Sequence, residues 1–248
     1  MNRRFEGRVA IVTGAGRGMG EATARRLAAD GAKVAIVDRD LEFAEAVAGA
    51  ISAKGGVAMA IHADVSKPSQ VKAMVDQTVA RFGALHLAVN NAGITSRAAP
   101  LAAQTDEEWE TMIAVNLSGV FYCMKHQIPA ILAAGGGAIV NVSSIFGSRA
   151  LPQYAPYTAA KHGVVGLTRA AAIEYATQNL RVNVFCPGMF DTSMGNSGGE
   201  HSDAIARMIP LKRLGKPEEA AAVVCFLLSD EAAFVNAADY AADAGMLH

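Results

Sequence analysis

Short aliphatic runs alternate along this chain with longer segments whose apolar positions recur at three- and four-residue intervals. Arg8 to Thr13, Lys33 to Val37, Val57 to His62, Leu85 to Asn90, Ala138 to Val142 and Arg181 to Phe185 are rich in Val, Ile, Leu and Ala. Continuous apolar runs of that length predict strands buried on both faces. Between them, helices are predicted from about Gly18 to Asp30, Leu41 to Ala53, Pro68 to Phe82, Thr105 to about Leu132, and through Tyr157 to about Thr177. A last helix from Gly215-Lys216-Pro217 to about Ser229 precedes a weak strand near Asp239 to Ala242.

The punctuation agrees with these bounds. Gly31 suits a helix C-cap, Pro68 a first helical turn, and Thr105 with Glu108 a capping box. One stretch breaks the rhythm: Thr192 to Pro210 is rich in Gly, Ser and Met with little periodicity, and reads as a mobile lid over a substrate. With no linker or repeat in view, the expectation is one α/β domain over residues 1–248, a sheet flanked by helices on both faces.

Composition narrows the class of protein. Among 248 residues, 52% are hydrophobic and 18% charged, which excludes a disordered chain. A net charge of −1 gives no electrostatic reason for nucleic acid or an anionic membrane as partner. Cys123, Cys186 and Cys225 are scattered in apolar runs without metal-ligand spacing, and read as reduced core residues of a cytoplasmic protein. No apolar stretch reaches the roughly 20 residues needed to span a bilayer, and the apolar run near the N-terminus is too short for a signal peptide.

After the first strand comes Thr13-Gly14-Ala15-Gly16-Arg17-Gly18-Met19-Gly20, at the opening of the first helix. Glycines let backbone approach a pyrophosphate, and a helix N-terminus offers it free N–H groups. Asp38 ends the second strand, 18 residues after Gly20. A carboxylate there accepts hydrogen bonds from an adenosine ribose and repels a 2′-phosphate, favouring NAD over NADP. Arg17 and Arg39 flank the same place and offer a phosphate partner instead. Asp64, with Val65, follows the third strand, where it either meets the adenine or caps a turn. Asn90-Asn91-Ala92-Gly93 closes the fourth strand with an amide able to tie strands together and small residues that leave room for a cofactor.

The candidate chemistry lies in Ser144 to Lys161. Tyr157 and Lys161 are four apart, so a helix stacks them on one face. A phenol titrates near pH 10, and an adjacent ammonium is expected to lower that value. Ser144, 13 residues before Tyr157, supplies a hydroxyl for the substrate oxygen. Tyr154 is a rival, seven residues before Lys161; the four-residue step favours Tyr157. Asn116, polar amid apolar neighbours, is either a satisfied core residue or one that bends its helix or holds a water.

Taken together, Thr13 to Gly20, Asn90 to Gly93, Asn116, Ser144, Tyr157-Thr-Ala-Ala-Lys161 and Pro187-Gly188 followed by Thr192 resemble the short-chain dehydrogenases/reductases over nearly the whole chain. The resemblance implies a single Rossmann-like domain with a seven-stranded parallel sheet. It implies Tyr157 as catalytic acid/base, Ser144 orienting the carbonyl, Lys161 binding the nicotinamide ribose, Asn116 supporting a relay water, and Thr192 binding the carboxamide. Substrate is expected against Ile145, Arg149, Gln153, Tyr154 and Met189, with Thr95, Ser96, Phe190 and Met194 nearby. A homotetramer is implied, built on the helices containing Asn116 and Tyr157 and on the last helix and strand. One departure stands out: Asn236-Ala237 and Ala242-Asp243-Ala244-Gly245 occupy places where the family usually has Thr-Gly and Val-Asp-Gly-Gly.

The leading expectation is therefore an NAD(H)-dependent enzyme interconverting a secondary alcohol and a ketone, with no metal. An NADPH-dependent 3-oxoacyl reductase is the alternative in the same class, and a non-catalytic nucleotide sensor or scaffold the alternative outside it.

Overall fold

The computed structural model describes residues 3–192 and 199–247. Seven parallel strands form one sheet: β1 (Val9–Thr13), β2 (Lys33–Asp38), β3 (Val57–His62), β4 (Leu87–Asn90), β5 (Gly137–Val142), β6 (Leu180–Pro187) and β7 (Asp239–Ala242). They lie in the order β3-β2-β1-β4-β5-β6-β7. Helices α1 (Gly18–Ala29), α2 (Leu41–Ser52), α3 (Pro68–Phe82), α4 (Asp106–Ile113), α5 (Gly119–Ala133), α6 (Ala155–Glu174), α7 (Gly199–Met208) and α8 (Pro217–Leu228) connect them.

Both faces of the sheet are covered, which is why its strands are apolar throughout rather than alternating. On one face Leu27, Val47 and Leu227 from α1, α2 and α8 pack on Val12, Ile36 and Val140. On the other, Met74, Ile128 and Val164 from α3, α5 and α6 pack on Ile11, Val37 and Ile139. After β3 the chain crosses back to place β4 on the far side of β1. Outgoing loops of β1 and β4 diverge at that reversal and open a crevice at the carboxyl ends of the strands.

Several bounds differ from the sequence expectation. Strand β4 starts at Leu87 rather than Leu85, because His86 is used in the approach: its Nδ1 accepts the Val9 N–H at 3.1 Å. The helix expected from Thr105 to Leu132 is two helices, α4 and α5, joined by a π-helical turn over Ala114–Ser118 with Asn116 at its middle. The helix expected to reach Thr177 stops at Glu174, and Asn179 then turns the chain in the left-handed region at φ 58°.

The segment expected to be aperiodic is helical in part. Residues 199–208 form α7, and the chain beyond it buries Ile209 to 1% exposure, four positions after the partly buried Ile205. Residues 193–198, including Met194, lie outside the described residues. Both ends of this excursion are anchored together: Asp191 N donates to Gly215 O at 2.8 Å and Gly215 N to Met189 O at 2.9 Å.

Candidate active site

Gly14 and Gly18 adopt φ of +61° and +59°, the left-handed region glycine enters without strain. A Cβ on Gly20 would lie 2.2 Å from Gly14 O, so the loop folds on itself too closely for a side chain. Arg17, at the N-cap of α1, makes no side-chain cap, which leaves first-turn N–H groups available to an anion. Gly18 faces Thr192, whose Cγ2 would lie 3.3 Å from an added Cβ. Met19 packs into the core beneath. This cradle fits a dinucleotide pyrophosphate.

The neighbouring residues divide into those facing the cradle and those holding it. Asp38 accepts Gly16 N–H at 2.9 Å through Oδ2 and Asp40 N–H at 3.1 Å through Oδ1, so it braces the glycine loop with lone pairs to spare on each oxygen. Arg17 stacks on the Phe43 ring at 5.0 Å, and Arg39 is exposed. The Asn91 amide is committed to the loop, donating to Thr13 O and Gly14 O at 3.0 Å each. Asp64 caps the turn that follows it, its Oδ1 accepting Ser66 N–H at 2.9 Å, and Val65 is buried beside Gly119. Gly188, after Pro187 at the end of β6, packs on Asp243, whose Cα would lie 2.7 Å from an added Cβ.

Ser144, Tyr157, Lys161 and Asn116 come together at the carboxyl ends of β4 and β5. Ser144 follows β5, is buried, and hydrogen-bonds Tyr157. Lys161 Nζ donates to Val142 O at 3.0 Å and lies 5.6 Å from the Tyr157 ring centroid. Asn116 clamps Ile94 on both sides, accepting its N–H and donating to its carbonyl at 2.8 Å each. Gly93 ties the groups together: a Cβ there would sit 3.0 Å from Asn116 Oδ1 and 3.7 Å from Lys161 Nζ. The π-helical turn shifts the backbone register around Asn116 and frees carbonyls from α-helical bonding. Tyr154 sits one step outside, at the N-cap of α6.

Electrostatics depart from the sequence expectation. Burial pushes the Tyr157 phenol up, an effect only partly offset by its hydrogen bond to Ser144. Burial also pulls Lys161 down to about 8. Desolvation therefore outweighs the expected acidification of the phenol.

The pocket residues are unevenly placed. Ile145 is buried beside Ser144, and Tyr154 and Met189 are partly buried. Gln153 is exposed with φ +70°. Arg149 Nη1 donates to Met246 O of the C-terminal segment at 3.4 Å.

Asn90 ties its strand to the next, as its amide allowed, within a buried polar chain below the site whose other members sequence reasoning passed over. Asn90 Nδ2 donates to Asn141 Oδ1 at 2.8 Å and to Gln127 Oε1 at 3.1 Å, and Asn141 Nδ2 donates to Thr168 Oγ1 at 2.9 Å. The signal was Asn141, a lone amide inside a strand of aliphatic residues. Among the described residues no group of three or more His, Cys, Asp or Glu could hold a metal, and no helix is long and apolar enough to cross a membrane.

The family model described as enoyl-(acyl carrier protein) reductase matches residues 14–247. Cyclohexanol dehydrogenase from Acinetobacter sp. (strain SE19) is 47% identical over 244 residues, 98% of this chain and 96% of that protein. The chain belongs to the short-chain dehydrogenase/reductase family. As a short-chain dehydrogenase/reductase it is a nucleotide-binding oxidoreductase acting on hydroxy compounds. A second relative, cis-4-hydroxycyclohexanecarboxylate dehydrogenase from Sinomonas cyclohexanicum, is 44% identical over 248 residues, covering 99% of this chain and 98% of that one. The solved structure of levodione reductase superposes with a TM-score of 0.94 at 39% identity, covering 98% of this chain and 99% of that one.

Proposed function

We propose that this short-chain dehydrogenase/reductase interconverts a secondary alcohol and a ketone with NAD(H), through Ser144, Tyr157, Lys161 and Asn116. The observation that carries the reading is the convergence of Ser144, Tyr157 and Lys161 across the crevice from an uncapped glycine loop. Bound in that crevice, the nicotinamide ring supplies or accepts the hydride.

Gly14, Gly18 and Gly20 hold the pyrophosphate, with Arg17 and Met19 between them. Asp38 meets the adenosine ribose beside Arg39. Asp64 and Val65 bound the adenine side, and Asn91, Ala92 and Gly93 form the floor. Pro187, Gly188 and Thr192 border the nicotinamide. In reduction the Tyr157 phenol gives its proton to the carbonyl oxygen that Ser144 orients; in oxidation the phenolate takes the hydroxyl proton. Lys161 holds its ammonium between Tyr157 and the nicotinamide ribose, and Asn116 supports the water that resupplies the proton. Because burial raises the phenol, oxidation gains rate as pH rises through the alkaline range, while reduction keeps its proton donor until the phenol itself titrates.

Cyclic secondary alcohols are the substrates to try first, since two similar enzymes are named for cyclohexanol and cis-4-hydroxycyclohexanecarboxylate. Ile145, Tyr154 and Met189 offer such a ring an apolar wall. The test is Tyr157→Phe, assayed by nicotinamide absorbance on a panel of alcohols and ketones. Loss of about 10²–10⁴-fold in kcat with dinucleotide binding retained is expected; unchanged turnover overturns the assignment.

A further inference from the structure

Between β4 and α4, the loop from Ile94 to Gln104 is pinned at both ends. Asn116 holds Ile94 at one end. At the other, Gln104 Nε2 donates one hydrogen to Ala99 O at 2.9 Å and one to Gln153 O at 3.2 Å, while Ala99 N–H donates to the same Gln153 carbonyl at 3.0 Å. One amide group thus joins this loop to the segment that enters α6.

The other half of the clasp is under strain. Gln153 sits at φ +70°, a region that a residue with a β-carbon keeps only where its surroundings hold it there. Gln153 immediately precedes Tyr154, the N-cap of α6, and lies four residues before Tyr157. The carbonyl that this conformation turns toward Ala99 is the one Gln104 captures. Ser96 Oγ and Gln104 Oε1 are buried without a hydrogen-bond partner among the described residues, so on this loop it is the Gln104 Nε2 donors, with Arg97 Nη2 donating to Ala103 O at 3.2 Å, that tie it down.

We infer that Gln104 is a positioning residue, whose side-chain amide sets the width of the substrate cleft by fastening the Thr95–Ala99 wall to the entry of α6. It touches none of the reacting atoms. Its hydrogen bonds reach Ala99 and Gln153 and none of the residues assigned to the dinucleotide. The inference rests on the reading of Ser144 and Tyr157 as the reacting centre, but the clasp itself can be observed without turnover.

The experiment compares Gln104→Glu, which replaces both donated hydrogens by an acceptor facing two carbonyl oxygens, with Gln104→Lys, which keeps donors on a chain of sufficient reach. Hydrogen exchange of the 95–100 segment is measured first, in the full chain without substrate. Faster exchange there in Gln104→Glu, at parent rates in β1 and α1, supports the clasp. Unchanged exchange in that segment overturns it, whatever becomes of activity. Kinetics follow on a cyclohexanol-type substrate. For Gln104→Glu a rise of about tenfold in the alcohol KM is expected from loss of two hydrogen bonds, with the dinucleotide KM unchanged and Gln104→Lys close to the parent. Equal effects of Glu and Lys, or an equal rise in the dinucleotide KM, overturn the positioning role.

Discussion

Lys161 shows what one residue concedes to function. It is 5% exposed, and burial pulls its amine from an ordinary 10.5 to about 8. Between those values the unfolded chain holds the proton that the folded one releases, so Lys161 opposes folding below about pH 8 and that penalty fades as pH rises toward 10.5. The melting temperature of Lys161→Met relative to the parent is therefore expected to decline between pH 8 and 10; a difference that stays constant would contradict the shift. Asp38 carries a second residue-scale prediction. Its carboxylate should give at least about a tenfold preference in kcat/KM for NAD over NADP, since like charges brought together cost several kcal/mol. Asp38→Asn should narrow that ratio, and a parent that prefers NADP would show Arg17 and Arg39 to dominate. Sequence placed both residues, through a four-residue helical step and the end of a strand. It misjudged the phenol because a spacing reveals which charges are near, while desolvation depends on everything packed around them.

At the scale of elements, β5 and α6 must be fixed against each other for Ser144 to reach Tyr157. The Asn90–Asn141–Thr168 chain does this through the interior, every member 2% exposed or less. Asn141→Leu removes one hydrogen bond from each of its neighbours Asn90 and Thr168 and should cost about 1–3 kcal/mol, read from urea unfolding, because a buried donor and a buried acceptor site lose their partner. A change within a few tenths of a kcal/mol would mean the network is idle. The strands and most helices were legible because their apolar periods differ. For Asn116 the sequence left a core amide, a bend and a held water open, because the Ile94 backbone that its amide grips is 22 residues away. Helix α7 escaped because its apolar face is short and follows a run of small polar residues.

Over the whole molecule, apolar surface remains on the helices and C-terminal region expected to meet neighbouring subunits. Ile173 on α6 is 75% exposed, Phe121 on α5 45%, and Phe234 lies fully open between α8 and β7. We expect a homotetramer in solution by sedimentation, with Ile173→Glu reducing it to smaller species; a monomeric parent would refute this. The alanines at the C-terminal family departure adopt φ of +59° at Ala237 and +56° at Ala244, conformations costing roughly 1–2 kcal/mol each for a residue with a β-carbon. Sequence flagged these positions, but treated the departure as a subunit matter. The Gly188–Asp243 packing and the Arg149–Met246 hydrogen bond bring the C-terminal segment to the rim of the crevice as well. Local periodicity was enough to specify the strands and the glycine loop, because each is written within a few neighbouring positions, while the candidate centre was gathered from Asn116 to Lys161 by the order of the motifs. Which carbonyl Gln104 holds, where Arg149 turns, how the amides pair below the site and which way burial drives Tyr157 were decided only in three dimensions, since each depends on groups brought together from distant parts of the chain.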